Sequence, residues 1–289
     1  MYQTWVSKPF SSTKNEERVI GRCLASLAFC DETIVVDNAS SDESVEWLRT
    51  CAPWVEVILR EENGGFAAAV NEGIVHARGE YIVLLNNDTA VDERWLEELI
   101  SALEETGYDS AASRMVYYST PEIINAAGDV FNMFSLAGWN RGIDRPASEY
   151  QTPMRVLNAC AGAAAYRRSF FDDVGLFDED FFLLSEDTDL GLRALIAGKR
   201  CVYVPSAVVR HKVGASIRTR PDWEMWELSA RNVAMVVAKD FPLVLLPIEM
   251  TAPQTTLWRS PLFWIGFGIA GGIDLWNGCA FLYPVLPTI

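Results

Sequence analysis

Short apolar runs alternate with amphipathic segments through the first part of the chain. The runs Thr33–Asp37, Val55–Leu59 and Tyr81–Leu85 are rich in Val, Ile and Leu, as is typical of buried strands in a parallel sheet. Between these runs, apolar residues at helical spacing predict helices at residues 15–30, 44–51, 67–77 and 92–106. Strands that alternate with helices in this way indicate an α/β fold with a parallel sheet.

Polar clusters follow two of these predicted strands. Residues 37–40 (DNAS) come after the first run and residues 86–88 (NND) after the third. Because ligands of such sheets bind at the carboxyl ends of the strands, both clusters are candidate binding sites. Asp88 is either a ligand of a hard divalent cation or a helix cap or Asx turn, and Asp37 has the same ambiguity.

An acidic cluster, SEDTD at residues 185–189, opens a helix that is predicted within residues 181–199. The dipole of a helix favours carboxylates near its N-terminus. Glu186 and Asp187 are therefore either a general base for an acceptor hydroxyl or ordinary first-turn acids beside a capping Ser185.

Two weaker signals are a histidine and a glycine pair. His211 follows a segment with short strands predicted at 202–204 and 207–209, and it is either a functional ligand or a structural histidine. Gly64-Gly65 either offers backbone N–H groups to a phosphate or serves a tight turn. Taken singly, none of these residues decides the function.

The composition narrows the classes of function. The 289 residues include 24 basic and 39 acidic side chains, for a net charge of −15, and 50% are hydrophobic, which indicates a globular protein. Nucleic-acid binding needs Lys and Arg to displace phosphate counterions, so we expect no nucleic-acid partner. The six Cys and two His lack metal-ligand spacing, and the N-terminus lacks an apolar signal core, so we expect a reducing cytosol.

Six motifs in a fixed order carry a family resemblance. They are VVDNASSD, NGGFAAAVNEG, VLLNNDT, CAGAAAYRR, GLFDEDFFLLSEDTDLGLR and VRHKVGAS. In this order the chain resembles glycosyltransferase family 2, and within it the rhamnosyltransferase-like bacterial branch, over residues 15–232. The resemblance implies an α/β fold of the GT-A type, in which a Rossmann-like nucleotide-binding mixed sheet is flanked by helices, and sugar transfer with inversion.

The resemblance also assigns catalytic and acceptor-side roles. Asp187 of the Glu186-Asp187 pair matches the catalytic base, which takes the proton of the acceptor hydroxyl as its oxygen attacks the sugar. Gly162 and Ala163 match a segment of small residues on the acceptor side.

The remaining implied roles concern the donor and its metal ion. Asp88 matches the residue that holds Mg²⁺ or Mn²⁺ against the donor diphosphate, and His211 matches a metal or diphosphate contact. Asn86 replaces the first acid of the family's D-x-D motif, which leaves Asp88 as the only anionic ligand of that loop. The implied nucleotide-sugar-binding residues are Thr13, Asn15, Asp37, Asn38, Ser40, Asn63, Gly65, Phe66, Asn71 and Asn87.

The opening strand departs from the family pattern. A continuous aliphatic run is typical there, but residues 5–12 read WVSKPFSS. Pro9 cannot donate to a central ladder of hydrogen bonds, so we predict a shortened first strand.

The C-terminal part differs in character from the rest. From Ser260 to Ile289 only Asp274 is charged, and Gly and Pro interrupt the apolar sequence, which disfavours a single membrane-spanning helix. We expect a catalytic domain at residues 1–232 and a membrane-associating segment at 233–289 that lies on the membrane, the alternative being burial against the domain. The expected location is the inner face of the cell membrane.

The sequence thus predicts a metal-dependent glycosyltransferase. Its expected partners are a nucleoside-diphosphate sugar donor, a glycan or lipid-linked acceptor of cell-surface polysaccharide synthesis, and the cytoplasmic membrane surface. One alternative is a sugar-1-phosphate nucleotidyltransferase, although SSTKNEE is not the Gly-rich loop that such an enzyme needs. The other alternative is a non-catalytic, membrane-associated scaffold.

Overall fold

The computed structural model describes residues 2–8, 23–27, 32–132, 137–213 and 222–240. Thr13, Asn15 and the predicted membrane-associating segment beyond residue 240 lie outside these residues. The helices are α1 (Ser44–Cys51), α2 (Gly65–His76), α3 (Trp95–Thr106), α4 (Arg168–Val174), α5 (Glu186–Ile196) and α6 (Asp222–Asp240). The strands are β1 (Tyr2–Lys8), β2 (Glu32–Asp37), β3 (Glu56–Leu59), β4 (Tyr81–Asn86), β5 (Thr89–Val91), β6 (Ser110–Tyr117), β7 (Ile124–Ala126), β8 (Asp129–Asn132), β9 (Ala137–Asn140), β10 (Met154–Val156), β11 (Ala163–Arg167) and β12 (Cys201–His211).

The described strands form one mixed sheet and one separate hairpin. The sheet runs β10-β12-β6-β11-β4-β1-β2-β3, with β5 added to β12 and β7 to β6, and β8 forms a separate two-stranded ladder with β9. The first half, β1 to β4, is parallel as predicted. In the second half β11 inserts antiparallel between β4 and β6, which makes the sheet mixed, as the family resemblance implies.

Several predicted elements appear with small changes of boundary. The helix predicted at 44–51 is α1 in full, whereas the helix predicted at 92–106 begins only at Trp95. The prediction of two short strands at 202–204 and 207–209 is wrong, because β12 is one strand whose register against β6 shifts at this point. Pro205 lacks the N–H that a ladder needs, and a bulge accommodates it.

Helices cover both faces of the sheet and make two apolar layers. One layer packs α2 and α4 against the sheet through a cluster of aromatic rings that includes Phe66, Phe170 and Phe171. The other layer packs α1 and α3 through Leu48, Trp95 and further apolar residues. A sheet that is buried on both faces holds its strand ends in fixed positions, and these ends carry the candidate site.

The first strand is present and central. β1 ends at Lys8, directly before Pro9, and it pairs parallel with both β2 and β4. The helix predicted at 15–30 falls largely outside the described residues, but Cys23, Leu24 and Leu27 are buried in the core. α6 runs through the predicted domain boundary at 232/233, and that boundary stays a prediction. Among the described residues, none of the helices has the length and apolar character that crossing a membrane requires.

Candidate active site

The polar clusters predicted at the strand ends meet at one edge of the sheet. β1 lies between β2 and β4, and its register places Asp37 opposite Lys8 and Asn86 opposite Ser7. The two clusters therefore lie two strands apart on the edge where the parallel strands end, which is the usual ligand-binding edge of such sheets.

Asp37 has one oxygen engaged and one free. Its side chain is buried, Oδ2 accepts the backbone N–H of Ser40 at 3.0 Å, and Oδ1 has no hydrogen-bond partner among the described residues. The turn hydrogen bond that was the structural alternative is thus present. The second oxygen is a candidate acceptor for a ligand hydroxyl, because an unpaired buried carboxylate oxygen is costly.

The predicted nucleotide-side loop is held by its own asparagines. Asn38 donates through Nδ2 to Asn63 Oδ1 at 3.0 Å and to the Gly65 carbonyl at 2.8 Å. Asn38 Oδ1 accepts the N–H of Gly64, and Asn63 Oδ1 accepts the N–H of Gly65. The two glycine N–H groups therefore bond to these side chains. This leaves the turn interpretation of the glycine pair as the one that fits the geometry.

Gly65 is needed because another chain segment presses on it. Its φ is +85°, and a Cβ at this position would lie 2.3 Å from the carbonyl oxygen of Phe182. The next residue, Phe66, donates its N–H to the same carbonyl at 2.6 Å, and its ring packs in the core against Phe177. Gly65 and Phe66 thus join the nucleotide-side loop to the segment that precedes α5.

Asn71 and Asn87 take different positions. The Nδ2 group of Asn71 donates to the Phe177 carbonyl and to Glu179, and its Oδ1 accepts the Phe177 N–H. Its amide therefore fastens α2 to the same downstream segment. Asn87 is buried in the turn between β4 and β5.

Asp88 and His211 come together although they are distant in sequence. The antiparallel pairing of β5 with β12 places Thr89 opposite His211, and Asp88 Oδ1 lies 3.1 Å from His211 Nε2. Asp88 is buried, and its carbonyl accepts the N–H of Lys212 at 2.9 Å. The structure thus brings together the two residues predicted as metal contacts.

Asn125 fixes the ring of His211 and was missed by the sequence analysis. This buried residue of β7 places its Oδ1 2.8 Å from His211 Nδ1. An amide oxygen only accepts, so Nδ1 donates its hydrogen to Asn125 and Nε2 is the ring nitrogen that faces Asp88. Metal-binding histidines have such a partner on the second ring nitrogen.

The Asp88–His211 pair fits a divalent cation. With a cation bound between them, the carboxylate oxygen of Asp88 and the Nε2 lone pair of His211 would both be ligands. Neighbouring ligands of an octahedral ion with bonds of about 2.0–2.1 Å lie about 3 Å apart, close to the 3.1 Å found here. Among the described residues no group of three His, Cys, Asp or Glu side chains could hold a metal ion. Mg²⁺ is often held by one or two carboxylates together with waters and substrate phosphates.

The predicted acceptor-side residues connect this pair to the predicted base. Asn86 donates its N–H to the Gly162 carbonyl at 2.9 Å, and Ala163 pairs with Leu85. One residue earlier, the Ala161 N–H hydrogen-bonds the Asp187 carboxylate. The 161–163 segment therefore lies between the metal-site loop and Asp187.

Three carboxyl groups interact at the start of α5. Burial is the main cause that raises the pKa of Glu186, to about 8, and the charge of Asp187 adds to it. Burial also raises the pKa of Asp187, but backbone N–H groups of Thr188 and Ala161 oppose the shift. Hydrogen bonds to a carboxylate favour its charged form, so Asp187 is the member of the cluster best able to hold a negative charge at neutral pH. Ser185 makes no side-chain capping bond, so the predicted capping alternative is wrong.

Asp129 is the third carboxyl group and has no counterpart among the predicted site residues. It begins β8, is buried, and neither of its carboxyl oxygens has a hydrogen-bond partner among the described residues. Burial, followed by the charges of Asp187 and Glu186, raises its pKa well above the ordinary range. Its backbone pairs with Asn158, whose Nδ2 donates to the Asp187 carbonyl. Burial beside two other carboxyl groups thus favours the neutral form of Asp129, and the backbone N–H groups near Asp187 favour the charged form there.

Replacing Glu186 by Gln is expected to stabilise the protein above pH 5. The folded state keeps the Glu186 proton up to about pH 8, whereas an unfolded chain releases it near the ordinary value of 4.5. The unfolded state is therefore favoured as pH rises between these values, and the wild-type chain loses stability there. The variant should avoid this loss, which is on the order of a few kcal/mol.

Chemical denaturation at several pH values from 5 to about 8.5, in EDTA, measures this effect. Glu105→Gln, which changes an exposed carboxyl group on α3, is the matched control and should show the wild-type pH dependence. Equal slopes of stability against pH for Glu186→Gln and wild type would contradict the raised pKa.

The architecture and the site define the class of the protein. A mixed sheet with parallel strands at its centre, with Asp37 and the Asp88–His211 pair at strand ends and Asp187 in the first turn of the flanking helix α5, has the GT-A fold of glycosyltransferases. The solved structure of the mannosyltransferase PcManGT from Pyrobaculum calidifontis, in complex with GDP-Man and Mn²⁺, is similar to this chain with a TM-score of 0.56. The similarity covers 98% of this chain and 78% of that one at 19% identity, and it shows the fold.

Sequence comparison names the family. The family model described as glycosyl transferase family 2 matches residues 11–175, which is more than half of the chain. The chain therefore belongs to glycosyltransferase family 2. A second model, of a family of unknown function (DUF6785), matches residues 238–289.

Two curated relatives come from bacterial polysaccharide synthesis. The O-antigen biosynthesis protein RfbC of Myxococcus xanthus is 28% identical over 206 residues, which are 68% of this chain and 16% of that protein. The succinoglycan biosynthesis protein ExoO of Rhizobium meliloti is 27% identical over 209 residues, which are 71% of this chain and 58% of that protein. The chain thus spans less than two thirds of the length of either relative.

Proposed function

We propose that this protein transfers a sugar, with inversion, from a nucleoside-diphosphate sugar to a hydroxyl group of a glycan or lipid-linked acceptor. The observation that carries the proposal is the alignment of three groups along one edge of the sheet. These are the free oxygen of Asp37, the Asp88–His211 pair and the carboxyl group of Asp187, with the small residues 161–163 between the last two.

Each of these residues has a part in the proposed reaction. Asp37 Oδ1 accepts a hydroxyl of the donor nucleoside, and the Asp88–His211 pair faces the diphosphate. Asp88 and His211 would hold a divalent cation there, and that cation would supply positive charge to balance the charge that develops on the leaving nucleoside diphosphate. Gly162 lies close to Asn86, whose side-chain nitrogen would be 3.1 Å from a Cβ at this position.

Asp187 supplies the proton transfer. Its carboxylate takes the proton of the acceptor hydroxyl as that oxygen forms a bond to C1 of the donor sugar. The bond from C1 to the diphosphate oxygen breaks on the opposite face, and the nucleoside diphosphate leaves with that electron pair. One displacement of this kind inverts the anomeric centre without a covalent sugar–enzyme intermediate.

The relatives support the donor and the biological role. PcManGT is described in complex with GDP-Man and Mn²⁺, which supports a nucleotide-sugar donor and a divalent cation for this chain, either Mg²⁺ or Mn²⁺. RfbC and ExoO are named for O-antigen and succinoglycan biosynthesis, which supports cell-surface polysaccharide synthesis.

We further propose that residues 241–289, in which only Glu249, Arg259 and Asp274 are charged, hold the protein at the inner face of the cell membrane. Co-sedimentation with lipid vesicles, with and without this segment, tests that placement.

A donor panel tests the proposed activity. Nucleoside-diphosphate sugars with uracil, guanine and thymine bases are incubated with the full chain in Mn²⁺, Mg²⁺ or EDTA, and released nucleoside diphosphate is measured. One donor is expected to be consumed with a divalent cation, and EDTA should lower the rate to background until metal is added back. If no nucleoside diphosphate binds in any metal and no donor is consumed, the proposal fails.

A further inference from the structure

The segment that precedes α5, the helix that begins with Glu186 and Asp187, has an unusual backbone. Phe182, Leu184 and Ser185 have φ values of 60°, 72° and 66°, all in the left-handed region. Residues with a Cβ adopt this region at a cost, and such positions persist only where the surrounding structure holds them. Residues 181–185, here called the entry segment, therefore need an external restraint to deliver Glu186 and Asp187 to the start of α5.

Asn232 of α6 provides this restraint. Its side chain is fully buried, and Nδ2 lies 2.9, 2.8 and 2.6 Å from the carbonyl oxygens of Phe181, Leu183 and Leu184. One amide group thus collects three carbonyls of the entry segment, with its two N–H groups shared among them. The left-handed turns aim these carbonyls at a single point, and Asn232 occupies that point.

The neighbouring residue extends the clamp. Arg231 donates through Nε to the Oδ1 of Asn232 at 3.0 Å, which orients the amide. Its Nη2 donates to the carbonyls of Asp180 and Phe181 at 2.9 and 3.1 Å. Both side chains of the Arg231-Asn232 pair therefore hold backbone of the same segment.

The entry segment also touches the nucleotide side of the site. The Phe182 carbonyl accepts the N–H of Phe66 and lies against Gly65. At its other end, the Ser185 carbonyl accepts the N–H of Asp189 in the first turn of α5. The segment that Asn232 holds thus joins the donor-side loop to the catalytic carboxylates.

We infer that Asn232 is a positioning residue for the catalytic base, acting through the left-handed entry segment rather than by contact with substrate. The inference rests on the role of Asp187 in the proposed function. It gives a part in catalysis to α6, which lies outside the residues 11–175 matched by the family model.

Val236 is the matched control for a purely structural role. It lies one turn further along α6 on the same face as Asn232 and is equally buried. Val236→Ala removes packing of α6 and leaves the carbonyl contacts of Asn232 in place. A general loosening of α6 would affect both variants alike, whereas loss of positioning would affect only the change at Asn232.

Hydrogen exchange without ligand tests the restraint directly. In Asn232→Ala the backbone amides of residues 183–189 are expected to exchange at least several-fold faster than in wild type. In Val236→Ala the exchange of these amides should rise no more than the loss of thermal stability of that variant accounts for. Arg231→Ala changes an exposed side chain and should give a smaller increase in exchange rate at the same amides. This variant replaces Asn232→Ala in the test if Asn232→Ala does not fold. Equal exchange in all variants would overturn the inference whether or not the chain transfers sugar.

Kinetics on the full chain tests the link to catalysis. With the donor that the wild-type chain consumes, kcat of Asn232→Ala should fall by about 10²-fold, as for a small misplacement of a catalytic group. The dissociation constant of UDP or GDP in Mn²⁺ should change much less, and Val236→Ala should keep kcat near wild type. Equal losses of kcat in both variants would overturn the positioning role, whereas a wild-type chain that consumes no donor would overturn the proposed function instead.

Discussion

Asp187→Asn is expected to lower kcat for sugar transfer by about 10²–10⁴-fold, the usual contribution of a general base. Asparagine keeps the size of the side chain and can still accept the N–H group of Thr188 through Oδ1, but it cannot take a proton from the acceptor. Nucleoside-diphosphate binding should be retained, because the proposed role of Asp187 concerns the acceptor hydroxyl and not the nucleotide. The measurements are kcat from released nucleoside diphosphate and the dissociation constant of UDP or GDP in Mn²⁺.

Glu186→Gln is the control that separates the two acids of the pair. Since the pKa of Glu186 is raised to about 8, this residue is already protonated at neutral pH, and the amide preserves its charge state. Transfer at pH 7 should therefore stay within a few-fold of wild type. If Glu186→Gln abolished transfer and Asp187→Asn spared it, the roles of the two carboxyl groups would have to be exchanged.

The same electrostatics predict the pH dependence of transfer. The base must be ionised to act, and burial raises the pKa of Asp187 above its ordinary value. Activity should therefore be lost on the acid side at a higher pH than an exposed aspartate would give, which the pH dependence of kcat measures.

The local sequence was sufficient to predict which edge of the sheet carries the candidate site and which residues end its strands. Apolar runs of strand length fixed β2 and β4, so the polar residues after them, Asp37 and Asp88, had to lie at the carboxyl edge. The helix that begins at Glu186 could also be predicted from the local sequence. The roles of these residues needed the order of the motifs, because each one also fitted a turn or a cap.

The supporting residues could not be predicted because they act across long sequence separations. Asn125 meets His211 through the pairing of β7 with β6 and of β6 with β12. Asn232 contacts the entry segment because α6 packs against α5. Each is a single polar residue in a sequence without a motif. Asp129 looked like one acid among many, and only its burial beside Asp187 distinguishes it.

Asp88→Asn is expected to have the second large effect, a loss of transfer of at least about 10²–10³-fold, as when one group that stabilises developing charge is removed. The variant keeps the shape of the side chain next to His211 but removes the only carboxylate in the loop after β4. Affinity for Mn²⁺ in the presence of UDP or GDP should fall in parallel. Electron paramagnetic resonance of free Mn²⁺ measures that affinity independently of turnover.

Two further variants show whether the loss comes from the ligand set or from surface charge. Asp92→Asn removes a carboxylate four residues away, where Asp92 pairs with Arg210 at the surface, and surface pairs contribute little. Asn125→Leu leaves both ligands in place but frees the ring of His211, so Mn²⁺ affinity should fall by about 10–100-fold, the usual effect of losing such a support. Unchanged Mn²⁺ affinity in Asp88→Asn would contradict the metal site, and equal losses in Asp88→Asn and Asp92→Asn would show that net charge, rather than ligation by Asp88 and His211, controls cation binding.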